Sequence, residues 1–151
     1  MERGSEVPDR APSSGLPLTL SVNGWRVVVV GAGPVGRRRV EALLAAGARV
    51  RWVAPRVPAV PAVDDGRAAR FDPTHLDDAR LVFACAPPAV NDAVVTAARA
   101  RGLLVGRADA PAEGDFAVPA IIRRGPVVLA LTSGAPAATA ALRRALEARV
   151  P

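Results

Sequence analysis

Val27-Val28-Val29-Val30 runs straight into Gly31-Ala32-Gly33-Pro34-Val35-Gly36, and no other feature limits the fold as tightly. An unbroken β-branched run reads as a strand buried on both faces, which belongs to a parallel sheet covered by helices. The glycines that follow are spaced G-x-G-x-x-G. Beyond them Val35, Val40, Leu43 and Leu44 fall on one helical stripe, with Arg37, Arg38 and Glu41 largely off it. Gly47 closes that helix and Ala48 to Val53 reads as a second strand. Strand, tight turn, helix and strand make a βαβ unit.

The remaining text extends this pattern. Leu16 to Val22 alternates ahead of an Asn23-Gly24 turn. Between Arg56 and Arg70, Pro58 and Pro61 interrupt any long element, and Asp64-Asp65-Gly66 reads as a turn. Leu81 to Cys85 is an apolar strand ended by Pro87-Pro88. Asn91 to Arg101 carries a helical pattern stopped by Gly102, and Leu103 to Val105 is a further short strand. The order β-α-β-β-α-β predicts a Rossmann-like, doubly wound parallel α/β sheet. After Asp109, Phe116 to Ile122 and Val127 to Leu131 read as two strands joined through Arg123-Arg124-Gly125-Pro126, followed by an Ala-rich helix over Pro136 to Arg149. The expected organisation is a disordered tail over 1–15, a dinucleotide-binding domain over 16–114 and a small β-β-α extension over 115–151.

Composition excludes several chemistries. The chain has 151 residues, 50% of them hydrophobic and 23% charged, enough to bury a core. Its 20 basic residues are all Arg, and against 14 acids they give +6. A GC-rich coding sequence writes Arg for Lys everywhere, so much of this charge reads as solvated surface. Without Lys or Tyr there is no Schiff-base lysine, no P-loop lysine and no tyrosine acid or base. One Cys and one His build neither a Cys/His metal site nor a disulfide framework, which fits a reducing, cytoplasmic compartment. Scattered Arg and 3% aromatic residues argue against nucleic acid as a partner. The longest apolar runs are strand-length, so no membrane span is predicted, and Met1 to Gly15 lacks the apolar core of a secretory signal. Cys85 reads as a packed apolar residue and His75 as a solvated loop residue.

The glycine turn has a mechanism. Gly31 permits the turn, Gly33 lets a pyrophosphate approach the backbone, and Gly36 lets the helix pack close to the sheet. Pro34 and Val35 open the helix, whose free N–H groups and dipole favour phosphate. The fold with a different or vestigial ligand is the bland alternative. One part of the fingerprint is missing. The second strand ends Val53-Ala54-Pro55-Arg56, without the acid that usually holds the ribose hydroxyls. Pro55 and Arg56 are then the candidates there, and Arg56 suits a 2′-phosphate or is simply solvated.

Four blocks resemble the precorrin-2 dehydrogenase / sirohydrochlorin ferrochelatase family, the N-terminal module of siroheme synthase. They are Leu16-Pro17-Leu18 with Gly24 through Gly36; Ala46-Gly47-Ala48-Arg49-Val50 through Ala54-Pro55; Asp109-Ala110-Pro111 with Phe116, Pro119, Ala120, Ile121 and Ile122; and Arg124-Gly125-Pro126 through Thr132-Ser133-Gly134. Together they cover Leu16 to Val150 in the family's order. The resemblance implies NAD as cofactor and hydride removal from the tetrapyrrole precorrin-2 to give sirohydrochlorin. In some members Fe²⁺ insertion follows. It implies a homodimer formed through the extension. It puts Asp109 at the family's essential aspartate, where a carboxylate takes protons from the macrocycle; read alone, the same residue suits an Asx-turn with Pro111. Arg124, Thr132, Ser133 and Gly134 become candidates for the substrate's carboxylates, as does Arg38, while Thr132 and Ser133 also suit a plain helix N-cap.

Departures accompany the matches. The family's A-A-T-D-D is Ala84-Cys85-Ala86-Pro87-Pro88 here and one residue shorter, so a Thr hydroxyl and acids on the cofactor side are gone. Gly106 stands for the usual Asn, Arg123 for an acid and Ala135 for a Gly. The extension reads as truncated, without the full C-terminal helical domain. These differences bear first on ferrochelation and then on turnover. They keep open a non-catalytic module that binds NAD or a tetrapyrrole, and an unrelated NAD(P)-binding subunit.

Overall fold

The structure, a computed structural model, describes residues 15–149, so the tail expected over 1–15 lies, apart from Gly15, outside the described residues. The chain divides into two compact units, one over Thr19–Ala117 and one holding the residues from Val118 onward with those ahead of Thr19.

The larger unit runs β1 (Arg26–Val30), α1 (Pro34–Ala45), β2 (Arg49–Ala54), β3 (Asp65–Ala68), β4 (Leu81–Ala84), α2 (Pro88–Ala100) and β5 (Leu104–Arg107), with single 3₁₀ turns at Pro73–Leu76 and Pro111–Glu113. All five strands are parallel, in the order β3-β2-β1-β4-β5. The chain winds outward from β1 through β2, returns to the other side of β1 for β4, and winds outward again. Right-handed crossovers therefore put α1 and α2 on opposite faces. The direction reverses between β1 and β4, and ligands of such sheets bind beyond the carboxyl ends of the strands at that reversal.

Burial follows the Val run as expected. Val27, Val28 and Val29 are fully buried, because each face of β1 meets a helix. Val28, Val30, Val53, Val82 and Ala84 pack with Val94, Val95 and Ala98 of α2 and with Leu76. On the other face α1 buries Gly36, Val40 and Leu43.

Three local readings change. Asp65 does not sit in a turn but begins β3, opposite Arg51 of β2. Its carboxylate takes Arg51 and Arg67 as partners, so pairing and charge override the turn-forming tendency of Asp-Asp-Gly in this exposed edge strand. The second helix begins at Pro88 rather than Asn91, since proline in the first helical turn forfeits only an N–H that has no partner there. His75 is not merely solvated: its Nδ1 accepts from the Asp72 N–H while Asp72 accepts from Thr74, which closes the 3₁₀ turn.

The smaller unit pairs β6 (Ala120–Arg124) with β7 (Val127–Leu131) in an antiparallel ribbon and continues into α3 (Pro136–Glu147). Arg124 faces Val127 across a two-residue turn in which Gly125 takes a φ of +51°. The first of these strands starts at Ala120 rather than Phe116, because the Phe116 ring packs edge-on against Phe83 of the larger unit's β4. No helix among the described residues is long and apolar enough to cross a membrane.

Candidate functional site

The glycine turn between β1 and α1 is tight for stated steric reasons. Gly31 has a φ of +110°, and a Cβ there would lie 2.2 Å from the Cys85 carbonyl oxygen at the end of β4. A Cβ on Gly36 would lie 2.1 Å from the Gly31 oxygen. Gly33 is different, with open space where its Cβ would stand. The turn is held from both sides: the Gly31 N–H donates to the Val53 carbonyl at 2.8 Å, and the buried Trp52 Nε1–H donates to the Gly31 carbonyl at 2.8 Å.

The start of α1 is left uncapped. Gly33 occupies the N-cap position without a side-chain bond, Pro34 follows, and the first turn has no acid. The Arg37 N–H to Gly33 carbonyl bond, 3.0 Å, is the first of the helix, so the Val35 and Gly36 N–H groups remain for an anion. These features fit a dinucleotide pyrophosphate: a cradle open at Gly33, N–H donors behind it and no competing carboxylate. Pro55 and Arg56 follow β2 and are exposed, and Arg56 has no carboxylate partner among the described residues. β2 supplies no acid for the ribose.

From Gly31 a chain of contacts leads across the carboxyl ends of the strands. Gly31 packs on the Cys85–Ala86 peptide. Both backbone polar groups of Ala86 are taken by the side chain of Asn91 in α2, the N–H by Oδ1 at 2.9 Å and the carbonyl by Nδ2 at 2.8 Å. The same Nδ2 donates to Asp109 Oδ1 at 2.6 Å. Asn91 is fully buried, so these bonds are what make an amide acceptable there.

Asp109 follows β5 and takes a second clamp from Arg107. Nε donates to Oδ1 at 3.0 Å and Nη2 to Oδ2 at 2.9 Å, the forked geometry that guanidinium and carboxylate share. Nη1 of Arg107 reaches Asp92 at 2.6 Å and Glu113 at 3.0 Å. The Arg107 hydrogen bonds hold the Asp109 carboxyl down at about 2, outweighing its burial, and Asn91 adds to them. Arg107 itself is raised, first by Asp109 and then by Asp92. The Asx-turn alternative for Asp109 thus gives way to an ion pair.

Cys85 lies just past β4. Burial pushes its thiol up to about 11, even with Arg39 nearby to favour the thiolate, in keeping with a packed residue rather than a nucleophile.

The other expected substrate contacts lie in the smaller unit. Arg124 is exposed, its Nη1 donating only to the Arg123 carbonyl at 3.1 Å. Thr132, Ser133 and Gly134 are exposed ahead of α3. Neither Thr132 nor Ser133 is the N-cap; that place belongs to Ala135, without a side-chain bond. Ser133 Oγ instead accepts from the Ala135 N–H at 3.1 Å and meets Thr139 Oγ1 at 2.6 Å. Asn91, Arg107 and Trp52 were not among the expected site residues. Arg107 had a signal: residues i and i+2 share a face in extended backbone, and Arg107-Ala108-Asp109 follows a strand.

Residues 18–120 match the family described as "Putative NAD(P)-binding". A siroheme synthase of Nitrosococcus oceani is 36% identical over 145 residues, covering 90% of this chain and 31% of that protein. Siroheme synthase 2 of Aeromonas salmonicida is 38% identical over 143 residues, covering 90% and 30%. A siroheme synthase of Pseudomonas entomophila is 39% identical over 152 residues, covering 90% and 31%. The chain thus spans about a third of the length of these relatives. Among solved structures, "SirC, precorrin-2 dehydrogenase" shares the fold, with a TM-score of 0.80 over 91% of this chain and 72% of that one, at 23% identity.

Proposed function

The chain belongs to the NAD(P)-binding family that its residues 18–120 match, and from that premise we propose that it oxidises precorrin-2 to sirohydrochlorin with NAD as cofactor. The observation that carries the reading is the contact chain Gly31, Ala86, Asn91, Asp109. It ties the nucleotide-binding turn to a carboxylate at the same end of the sheet, where a substrate and a cofactor have to meet. The similarity to siroheme synthases supplies the substrate class.

Gly31, Gly33, Pro34, Val35 and Gly36 hold the pyrophosphate, and Pro55 and Arg56 lie at the ribose side. Bound NAD accepts the hydride. Asp109 sets the charge beside the macrocycle, and Asn91 keeps it in place. Arg124, Thr132, Ser133 and Gly134 pair with the substrate's carboxylates as two-point cationic and hydrogen-bond contacts. The domain division at 16–114 and 115–151 gives the cofactor to the first part and a homodimer contact to the second. In support of that contact, no residue of α3 is buried and Val127, Val128 and Leu142 are exposed. Iron insertion into sirohydrochlorin is a further activity of this reading, with Fe²⁺ as a substrate, and the compartment is the cytoplasm.

Anaerobic turnover tests it: purified protein, enzymatically made precorrin-2 and NAD⁺, following sirohydrochlorin absorbance. Product formed by the wild type and lost in a folded Asp109→Ala variant is the expected result. A folded protein that binds NAD yet forms no product overturns the enzyme reading in favour of a binding module.

A further inference from the structure

We propose that Arg107 is the positioning residue of this site, clamping both oxygens of Asp109 so that Asp109 meets the substrate as a permanent carboxylate that stabilises positive charge and does not exchange protons. The inference rests on the dehydrogenase reading above and deepens it.

The geometry leaves Asp109 little freedom. Arg107 engages Oδ1 and Oδ2 at 3.0 and 2.9 Å, and Asn91 adds a bond to Oδ1 at 2.6 Å. Protonating either oxygen would set a hydrogen against donors already aimed there, so the charged form is favoured. Arg107 cannot readily swing away. Its side chain is 8% exposed, and Nη1 is anchored by Asp92 and Glu113. The groups that bear on the pair are therefore Arg107 from β5, Asn91 and Asp92 from α2, and Glu113 from the second 3₁₀ turn. Asp92 and Glu113 are solvated, with side chains 67% and 64% exposed, and their pull on Arg107 is weakened by water. The unexchanged carboxylate agrees with the direction in which Arg107 moves its protonation.

The chemistry follows from the charge. A C–H bond of the macrocycle breaks and its electron pair leaves as hydride to the cofactor. The macrocycle is left positive and sheds one N–H or C–H proton to become neutral. A fixed anion beside it lowers the energy of that positive state. With Asp109 held unprotonated, the departing proton goes to water.

The test follows the Asp109 carboxyl carbon by ¹³C NMR across pH in the full-length protein, for wild type, Arg107→Gln and Arg107→Lys, with turnover measured alongside. Wild-type Asp109 should show no titration from about pH 8 down to about pH 4. Arg107→Gln should bring its midpoint up into the ordinary carboxylate range, Arg107→Lys should fall between, and kcat should drop by about tenfold or more in Arg107→Gln. A wild-type midpoint above about pH 4 overturns the proposal even if Arg107→Gln does not fold, as does an Arg107→Gln midpoint that matches wild type. The NMR readout needs no substrate. A titrating Asp109 in a protein that turns over removes the Arg107 assignment alone; an unshifted Asp109 without turnover removes the dehydrogenase reading and the catalytic half of this one.

Discussion

The indole nitrogen of Trp52 donates to the Gly31 carbonyl at 2.8 Å from inside the core. Trp52 has no exposed surface, and the carbonyl it holds is the one that would lie 2.1 Å from a Cβ on Gly36. The nucleotide-binding turn is therefore fixed from behind, by a core residue, rather than by the loop itself.

Replacing Trp52 by Phe should leave that carbonyl without its indole donor. An unpaired buried acceptor costs about 1–3 kcal/mol, and the smaller ring adds a packing loss. The expected outcome is a lower urea midpoint together with weaker NAD binding, measured by denaturation and by fluorescence or calorimetric titration. Unchanged binding in the variant would mean that the Val53 bond to the Gly31 N–H holds the turn without help.

The three turn glycines should separate folding from binding. Gly31→Ala and Gly36→Ala drive a Cβ into backbone at 2.2 and 2.1 Å, and overpacking of this kind costs about 1–3 kcal/mol. Gly33→Ala meets nothing within 4 Å, so its melting temperature should stay near wild type while cofactor affinity falls by about tenfold or more, its methyl group standing where the pyrophosphate approaches. Thermal melts with and without NAD distinguish the two patterns.

Cys85 should be inert in the folded protein. With its thiol pushed up to about 11 by burial, iodoacetamide at about pH 8 should label it roughly a hundredfold more slowly than in urea. Rapid labelling of the native protein would show the strand end opening to solvent.

What the sequence makes legible here is what is local in it. The Val27 to Val30 run, the glycine spacing and the stripe of α1 lie within a few residues of one another and carry the fold class. The contacts that build the site do not. Trp52 and Gly31 are 21 residues apart, Asn91 and Asp109 are 18 apart, and only the parallel register brings them together. β3 was hidden because Asp65-Gly66 is poor strand material; its pairing with β2 and the Arg51 contact create it. Arg107 was hidden for another reason: in an all-Arg chain a single arginine two positions from an aspartate carries little signal.

The Asp109 ion pair makes a stability prediction with a definite sign. The folded carboxyl sits at about 2 because of Arg107, below the usual value near 4 that it regains on unfolding. A depressed carboxylate stabilises the fold above its unfolded value and loses that contribution as pH falls through its folded value. The difference in melting temperature between wild type and Asp109→Asn should thus favour wild type, stay constant from about pH 8 to about pH 5, and shrink between about pH 4 and pH 2. Calorimetry or circular dichroism at several pH values measures it. A difference that already shrinks between about pH 7 and pH 5 would show that Arg107, shared with Asp92 and Glu113, does not hold the Asp109 proton off.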